Sequence, residues 1–442
     1  MAYTATFNPN FGALGASVAG LFPEKKVIQK KGKQQDTLGI ALSGGGYRSA
    51  IFNYGVLKGL KRIGVLGQAD YLSAVSGGSW IATALATTQY LDDWFFDTPA
   101  EKPNFLEEGF ESLLTNPART LQELALARKN ANYVSNVYGR LLARTFLREM
   151  GQAGRFKQLS DRGVVKDKDR PFLIVNGTVA YRPRDTFSVE QECFEMTRLY
   201  CGSRTLGYFG TKDLKASEKV LRVRDAIAVS GAAVAAHLPG LGDETIGVGL
   251  SREVVNYTLN NAPTPRTDAD HLDVADGGFY NNLGVESLIN RGCRYLIVVD
   301  AEHDPESKTK KRSNQKYSGL RTLLKRRHIK LPFSGTADQV VKSLDRRDQA
   351  LHVFDGDATT PSVLYIKLKS SRAFDKLAAK RPYNKPSFFS HLFGSGKFAF
   401  NPQFSTAKLD YDFAEHRNLS ELGDFIVESN KQAISTFAAQ AT

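Results

Sequence analysis

The chain contains very few cysteines, three among its 442 residues, at positions 193, 201 and 293. They are too few and too widely spaced to build a disulfide framework or a zinc site. We therefore expect a reducing compartment. Long apolar runs are also lacking: the sequence has no uninterrupted stretch of 18 apolar residues, so it predicts no transmembrane helix.

Internal repeats, low-complexity tracts and recognisable linkers are missing as well. Residues 11–22 are mildly apolar, but no positive charge precedes them and no convincing cleavage site follows, so no cleavable signal peptide is predicted. Acidic residues are outnumbered, with 46 Asp and Glu against 59 Lys and Arg, which gives a formal net charge of +13. Such a basic balance favours phosphate-bearing partners, either nucleic acid or an anionic membrane face.

The most informative stretch is residues 38–88, which alternates strand and helix patterns. A short apolar run ends at Ser43, three glycines follow, and apolar residues then recur at helical spacing from Tyr47. The stretch fits neither the P-loop nor the dinucleotide fingerprint. Glycines at a helix start expose successive N–H groups, so we interpret Gly44, Gly45 and Gly46 as oxyanion donors. The alternative is that they only allow strand and helix to pack closely.

The second half of the same stretch supplies a candidate nucleophile. Residues 71–75 read as a strand, and Ser76 lies on the turn into a helical segment, beside Gly77. A serine on a sharp strand-to-helix turn is typical of a nucleophile elbow. Ala74 replaces the first glycine of the usual pattern. Centring the pattern on Ser79 instead would lose its last glycine, so we predict Ser76.

The four residues around that serine occur twice in the chain. Residues 228–231 repeat the sequence Ala-Val-Ser-Gly of residues 74–77. The second copy lies in an alanine-rich segment with the pattern of a packed helix. We expect Ser230 to have a structural role.

A third motif is Asp276-Gly277-Gly278. A lone Asp-Gly-Gly is most often a turn. Here it follows an apolar stretch and precedes a helix-like segment that leads to a buried strand at residues 295–299. An aspartate held at a strand end could act as general base for a serine hydroxyl, or orient it.

Taken together, the three motifs resemble those of the patatin-like phospholipases, close to the branch shared with the cytosolic phospholipase A2 catalytic domain. The resemblance extends from about residue 37 to about residue 425. It implies an α/β fold with a mostly parallel central sheet flanked by helices and a helical cap insertion. It further implies a Ser76–Asp276 dyad without a catalytic histidine or a metal.

The resemblance also assigns roles to the neighbouring residues. Gly44, Gly45, Gly46 and Gly77 would form the oxyanion hole, and Arg48 would hold the substrate phosphate. His303 follows Asp276 in the chain order of an α/β-hydrolase triad. We interpret it instead as a loop histidine, because the family's dyad uses none.

We divide the chain into an N-terminal arm, residues 1–36, and a catalytic domain, residues 37–442. The arm could touch a membrane or dock on its own domain. Within the catalytic domain we expect a helical cap at 89–165, either mobile over the cleft or static, and a basic insertion at 304–360. From Lys308 to Lys330 there are ten Lys or Arg residues and no acidic one. This pattern suits a membrane interface, nucleic acid or a solvated loop.

The segment 387–400 contains five phenylalanines among glycines and serines. It is a candidate for the mouth of an acyl pocket or for bilayer insertion, or else for core packing.

These features predict a serine lipid acyl hydrolase, a phospholipase A or lysophospholipase acting at a membrane surface. The expected partner is a phospholipid surface with anionic lipids; an activating protein or nucleotide is left open, and neither a nucleic acid nor a cofactor is expected. The alternatives are an acyltransferase or an esterase on soluble esters and, in another class, a nonenzymatic basic protein that binds membrane or nucleic acid. We expect a cytoplasmic, peripherally membrane-associated protein or a secreted effector without a cleavable signal.

Overall fold

The structure is a computed structural model, and part of the chain is described. The described residues are 3–4, 22–28, 37–88, 95–96, 139, 142–143, 145–147, 170–181, 190–212, 221–231, 252–255, 257–258, 271–304, 316–345, 348–384, 399–406, 408 and 411–441. The predicted cap at 89–165 and the phenylalanine-rich segment at 387–400 fall almost entirely outside these residues.

The described strands form one large sheet and one short pair. The strands are β1 (Tyr3–Thr4), β2 (Leu38–Leu42), β3 (Tyr71–Val75), β4 (Phe172–Tyr181), β5 (Glu190–Met196), β6 (Tyr200–Ser203), β7 (Gly207–Gly210), β8 (Arg252–Val255), β9 (Tyr257–Thr258), β10 (His271–Asp276), β11 (Tyr295–Asp300), β12 (Leu351–Phe354) and β13 (Ser362–Lys367). The large sheet has 11 strands in the order β12-β13-β11-β2-β3-β4-β5-β6-β7, with β10 paired to β4 and β8 paired to β10. Strands β1 and β9 pair separately.

The middle of the sheet is parallel. Strands β13, β11, β2, β3 and β4 all run in the same direction. Their apolar residues are buried on both faces, which is what a parallel sheet covered by helices requires. Antiparallel strands extend this centre at both ends, through β12 on one side and β5 to β7 on the other. The predicted α/β class with a mostly parallel central sheet is confirmed, within a mixed sheet.

Helices cover both faces of the sheet. They are α1 (Lys25–Ile28), α2 (Gly46–Arg62), α3 (Gly77–Thr87), α4 (Val223–Ser230), α5 (Gly278–Asn281), α6 (Glu286–Asn290), α7 (Ser318–Leu324), α8 (Ala337–Leu344), α9 (Arg372–Ala378), α10 (Phe413–Ser429) and α11 (Lys431–Ala439). On one face, α2, α3 and α10 bury side chains such as Trp80 and Leu419. On the other, α6, α7 and α8 bury Leu288, Leu320 and Val341. None of the described helices is long and apolar enough to span a bilayer.

The strand order brings the three predicted motifs to one edge of the sheet. Strands β2 and β3 are parallel neighbours, so the turns that follow them lie side by side. Strand β4 is the next neighbour of β3, with Val75 opposite Asn176. Strand β10 then pairs with β4 and places Asp276 opposite Gly177. The turns after β2, β3 and β10 therefore converge although they lie up to about 230 residues apart in the sequence.

Part of the predicted N-terminal arm docks on the domain. Glu24 and Lys25 are buried and both contact Arg291, at the end of α6: the Arg291 Nε lies 2.9 Å from Glu24 Oε1, and Lys25 Nζ donates to the Arg291 carbonyl at 2.6 Å. For residues 22–28, docking on the domain is thus the arrangement found. Within the predicted basic insertion, residues 316–345 include α7 and α8. These helices pack against the sheet through Leu320 and other buried apolar residues.

Candidate active site

Ser76 lies at a strained turn between β3 and α3. Its backbone angles are φ 48° and ψ −125°, a region that residues with a side chain rarely adopt. This geometry is expected for a nucleophile elbow, which presents the hydroxyl group at the top of the sheet. The turn also needs a glycine next to the serine, because a Cβ at position 77 would lie 1.9 Å from the carbonyl oxygen of Gly46. The elbow and the glycine turn after β2 are therefore in direct contact.

The hydroxyl of Ser76 points at a carboxylate. Ser76 Oγ donates to Asp276 Oδ2 at 3.3 Å, and the other oxygen of Asp276 accepts the N–H of Gly278 at 2.7 Å. Both side chains are almost fully buried, with exposed fractions of 4% for Ser76 and 2% for Asp276. The structure thus brings together the two residues predicted to form the dyad. A serine–base contact of this length is normal without substrate, where catalytic hydrogen bonds are often long.

Backbone donors surround the serine at the starts of α2 and α3. Gly45 and Gly46 have φ values of 139° and 65°, so the turn requires glycine at both positions. Within the described part of the chain, the N–H groups of Gly45, Gly46 and Gly77 have no hydrogen-bond acceptor. Each lies at or next to the first residue of its helix, where the helix dipole favours negative charge. These three N–H groups are available to an oxyanion.

Gly44 differs from the other predicted donors. Its N–H donates to the carbonyl oxygen of Asn282 at 2.9 Å, so it is already occupied. A Cβ at position 44 would lie 3.1 Å from Cβ of Ser76 and 2.2 Å from Oδ1 of Asn282. The observed reason for a glycine at this position is close packing, which was the alternative interpretation of the motif.

Arg48 is fully buried and holds the glycine turn to two other segments. Its Nε and Nη2 donate to the carbonyl oxygen of Ala301 at 3.1 and 2.9 Å, and Nη1 donates to the carbonyl oxygen of Phe404. Burial lowers the pKa of the Arg48 guanidinium. A substrate phosphate could reach it only if residues 404–406 moved away. The phosphate role of Arg48 therefore stays a prediction.

Ser230, predicted to be structural, lies against the elbow. Its Oγ accepts the backbone N–H of Ser76 at 2.9 Å and donates to the carbonyl oxygen of Asn176 at 2.6 Å. The carbonyl oxygen of Ser230 accepts the N–H of Gly277 at 3.2 Å. One residue thus contacts the turn of the serine and the turn of the aspartate. Sequence reasoning missed this contact; the only signal for it was the repeated Ala-Val-Ser-Gly.

The two rejected candidates take part in other contacts. Ser79 Oγ donates to the carbonyl oxygen of Ser76 at 2.6 Å, one turn into α3. His303 lies near Arg48 and the backbone of Phe404, and burial together with neighbouring Arg48 lowers its pKa. No hydrogen bond joins His303 to Ser76 or Asp276 in the residues that the structure describes. The geometry is that of a serine–aspartate pair.

Glu302 is a buried acidic residue that contacts Asn282, the neighbour of Gly44. Glu302 Oε1 accepts the side-chain N–H of Asn282 at 2.5 Å and the backbone N–H of Gly319 at 2.9 Å. Burial, with a contribution from nearby Asp300, raises the pKa of Glu302 to about 7. Among the described residues there is no cluster of three or more His, Cys, Asp or Glu that could hold a metal ion. The acidic groups here contact protein donors.

Comparison with known proteins finds a family model that matches part of the chain and solved structures with the same fold. The family model described as the lysophospholipase catalytic domain matches residues 38–215. Lysophospholipase 3 of Saccharomyces cerevisiae is 23% identical over 192 residues, 38% of this chain and 28% of the relative. Lysophospholipase 1 of Candida albicans is 26% identical over 164 residues, 31% of this chain and 26% of the relative. The matched part is therefore about a quarter of the length of each of these relatives.

Among solved structures, the human GIVD cytosolic phospholipase A2 has the same fold. It superposes with a TM-score of 0.63 at 16% sequence identity, over 97% of this chain and 65% of the human chain. The same human protein in complex with methyl γ-linolenyl fluorophosphonate gives a TM-score of 0.56 at 18% identity, over 96% of this chain and 62% of the other. The predicted resemblance is confirmed: the chain is similar to the patatin-like lysophospholipases through residues 38–215 and has the fold of cytosolic phospholipase A2.

Proposed function

We propose that the protein is a serine hydrolase that cleaves acyl esters of lysophospholipids and phospholipids at a membrane surface. One observation carries the proposal: Ser76 Oγ, on a strained elbow, lies 3.3 Å from Asp276 Oδ2 and beside unoccupied backbone donors. The names of the matched relatives, lysophospholipases and a cytosolic phospholipase A2, support a lipid ester as the substrate class.

In the first half of the reaction, Asp276 Oδ2 takes the proton of Ser76 Oγ while the oxygen attacks the acyl carbonyl carbon. The N–H groups of Gly45, Gly46 and Gly77 stabilise the negative charge that develops on the carbonyl oxygen by donating hydrogen bonds to it. Donors of this kind each stabilise a transition state by about 3 kcal/mol. The proton then passes from Asp276 to the departing alcohol oxygen, and the acyl group stays on Ser76.

In the second half, Asp276 accepts a proton from a water molecule, which attacks the acyl-enzyme. Ser76 recovers its proton from Asp276, and the fatty acid leaves. Burial of the dyad matters in both halves, because a low dielectric strengthens the interaction of the oxyanion with the backbone donors. A different acceptor in place of water would make the same site an acyltransferase, so product analysis has to separate the two.

The test is mass spectrometry of the products formed from lysophosphatidylcholine and phosphatidylcholine. We expect free fatty acid from the wild type, and a loss of at least about 10³-fold in kcat for Ser76→Ala and for Asp276→Asn. Ser420→Ala is the control, because it removes a buried serine hydroxyl on α10, outside the turn of the nucleophile, and leaves Ser76 in place. It should retain most of the activity.

A covalent probe makes the result independent of substrate choice. Methyl γ-linolenyl fluorophosphonate, which is bound in the structure of the human relative, should label the wild type at Ser76 and leave Ser76→Ala unlabelled. Labelling without lipid hydrolysis would mean that the dyad is active on another class of ester. If the folded protein is neither labelled by the probe nor able to hydrolyse lipid, the proposal is overturned.

A further inference from the structure

An exposed aromatic side chain lies next to the candidate dyad. Phe279, on the short helix α5, follows Asp276 by three residues and is 60% exposed, more than any other large apolar side chain in the described part of the chain. Exposing a phenylalanine costs free energy that a polar residue would not cost. A single exposed apolar residue needs no explanation by itself, so its surroundings decide what it means.

A basic segment is fixed beside this helix by Arg326. The Arg326 guanidinium lies over the ring of Tyr280, 3.5 Å from its centroid, and donates to the Tyr280 carbonyl oxygen. It also pairs with buried Glu286 at 2.7 Å. Farther along the segment, Ile329 is buried. The backbone of residues 325–330 is therefore anchored to the domain at two points, next to α5.

Around these anchors the remaining lysine and arginine side chains face the solvent. Lys325, Arg327 and Lys330 are exposed, and none of them has an ion-pair partner within the described residues. The segment between residues 316 and 337 contains no acidic residue at all. Two other cations of this segment do form ion pairs. Lys316 pairs with Asp345 at 2.9 Å, and Arg321 pairs with Asp338. The unpaired positive charge is thus concentrated on the part of the segment nearest α5.

We propose that Phe279 with Lys325, Arg327 and Lys330 forms the docking face for an anionic lipid bilayer, with the ring entering the interface and the cations contacting lipid phosphates. Charge complementarity and the exposed apolar ring together favour a bilayer, because its interface accommodates an aromatic side chain next to cations that contact lipid phosphates. The inference rests on the proposed function, and it adds which surface presents the site to its substrate.

Docking there would place the dyad at the lipid surface. Phe279 and Asp276 belong to one continuous turn, so a bilayer that holds the ring also fixes the distance from the membrane to the Ser76 hydroxyl. Another surface offers an internal comparison. On α9, Leu377 is 38% exposed and lies between exposed Lys376 and Lys380, a similar combination far from the dyad in the fold.

The experiment is vesicle co-sedimentation with the Ser76→Ala protein, which binds without hydrolysing the lipid. Vesicles of phosphatidylcholine alone and with added phosphatidylserine are the probes. We expect binding that needs phosphatidylserine and weakens with salt. Phe279→Ala and the double change Lys325→Glu/Arg327→Glu should each weaken binding by about tenfold or more. Leu377→Ala and Lys376→Glu/Lys380→Glu should leave it unchanged. Circular dichroism confirms that each variant folds.

Two results would overturn the docking face. One is no binding to either vesicle, whether or not duplex DNA binds through Lys325 and Arg327, and the other is equal losses in the α9 controls. Failure of the proposed function looks different. A wild type that binds anionic vesicles through Phe279 but releases no fatty acid would refute the lipid hydrolase and would still support the docking face.

Discussion

The backbone N–H of Ser76 donates to the Oγ of Ser230 at 2.9 Å. Because Ser76 has a positive φ, its turn is strained and needs contacts that hold it in place. Ser230 provides one of them from α4, which is more than 150 positions away in the chain. Ser230, in the second Ala-Val-Ser-Gly, thus helps to hold the turn of Ser76, in the first.

Ser230→Ala should lower kcat by about 10- to 100-fold with little change in KM, because it frees the Ser76 N–H and lets the hydroxyl shift relative to Asp276. The rate of fluorophosphonate labelling at Ser76 should fall in parallel. Ser420→Ala removes another buried hydroxyl, far from the dyad, and should affect stability alone. Equal activity in the two variants would show that Ser230 does not position the elbow.

Gly77→Ala should abolish activity. The new Cβ would lie 1.9 Å from the carbonyl oxygen of Gly46, so the turn of Ser76 and the glycine turn after β2 would have to separate. The expected losses are at least about 10²-fold in kcat and about 1 to 3 kcal/mol in the free energy of unfolding.

Gly67→Ala is the matched control for this change. A Cβ at position 67 meets nothing within 4 Å, so this variant should keep wild-type activity and stability. Esterase assays and urea unfolding of both variants test the comparison, and an active Gly77→Ala enzyme would contradict the assigned contact between the two turns.

Much of the site could be predicted because its parts are local. The strand–turn–helix pattern of residues 38–88 depends on glycine positions and apolar periodicity, which are properties of the sequence itself. The observed elements β2, α2, β3 and α3 follow it closely. Asp276 was predicted from a motif of the same kind, at the end of a strand.

The parts that could not be predicted depend on which distant segments meet. The N–H of Gly44 donates to the carbonyl oxygen of Asn282 and is therefore not free for an oxyanion. The side chain of Arg48 donates to the carbonyl oxygens of Ala301 and Phe404. Neither contact leaves a periodic signal. The contact of Ser230 with Ser76 was not predicted for the same reason. The sequence pattern of α4 predicts a packed helix, but it does not say against which segment the helix packs.

Removing Arg291 should destabilise the protein strongly. Its fully buried guanidinium pairs with Glu24 at 2.9 Å and with Glu195 at 2.7 Å, so Arg291→Met would leave two carboxylates buried without a countercharge. Breaking such a group costs about 3 to 5 kcal/mol. Urea unfolding measures the loss directly.

Arg62 is the control for burial, because it also pairs with two carboxylates but is 45% exposed. Arg62→Met should cost less than about 1 kcal/mol, since solvent screens exposed pairs. Similar losses for the two variants would mean that the Arg291 pairs contribute no more than surface contacts do.

Glu192 provides a test of stability against pH. Its side chain is 5% exposed, and its two oxygens accept the Thr205 N–H at 2.6 Å and the Ser203 hydroxyl at 3.0 Å. Burial raises the pKa of Glu192 from 4.5 to about 7, against the opposing effect of these hydrogen bonds. The folded state therefore favours the protonated carboxyl group, whereas the unfolded state releases the proton at lower pH.

The sign of the effect follows from proton binding. Between pH 4.5 and 7 the folded protein holds a proton at Glu192 that the unfolded chain has lost, so the stability contribution present below pH 4.5 disappears as the pH rises to 7. The loss amounts to about 3 kcal/mol at most. Glu192→Gln cannot titrate, so its stability relative to the wild type should increase from pH 4.5 to pH 7.5. Urea unfolding at both pH values gives this difference, and a Glu192→Gln effect that is independent of pH would show that Glu192 titrates alike in both states.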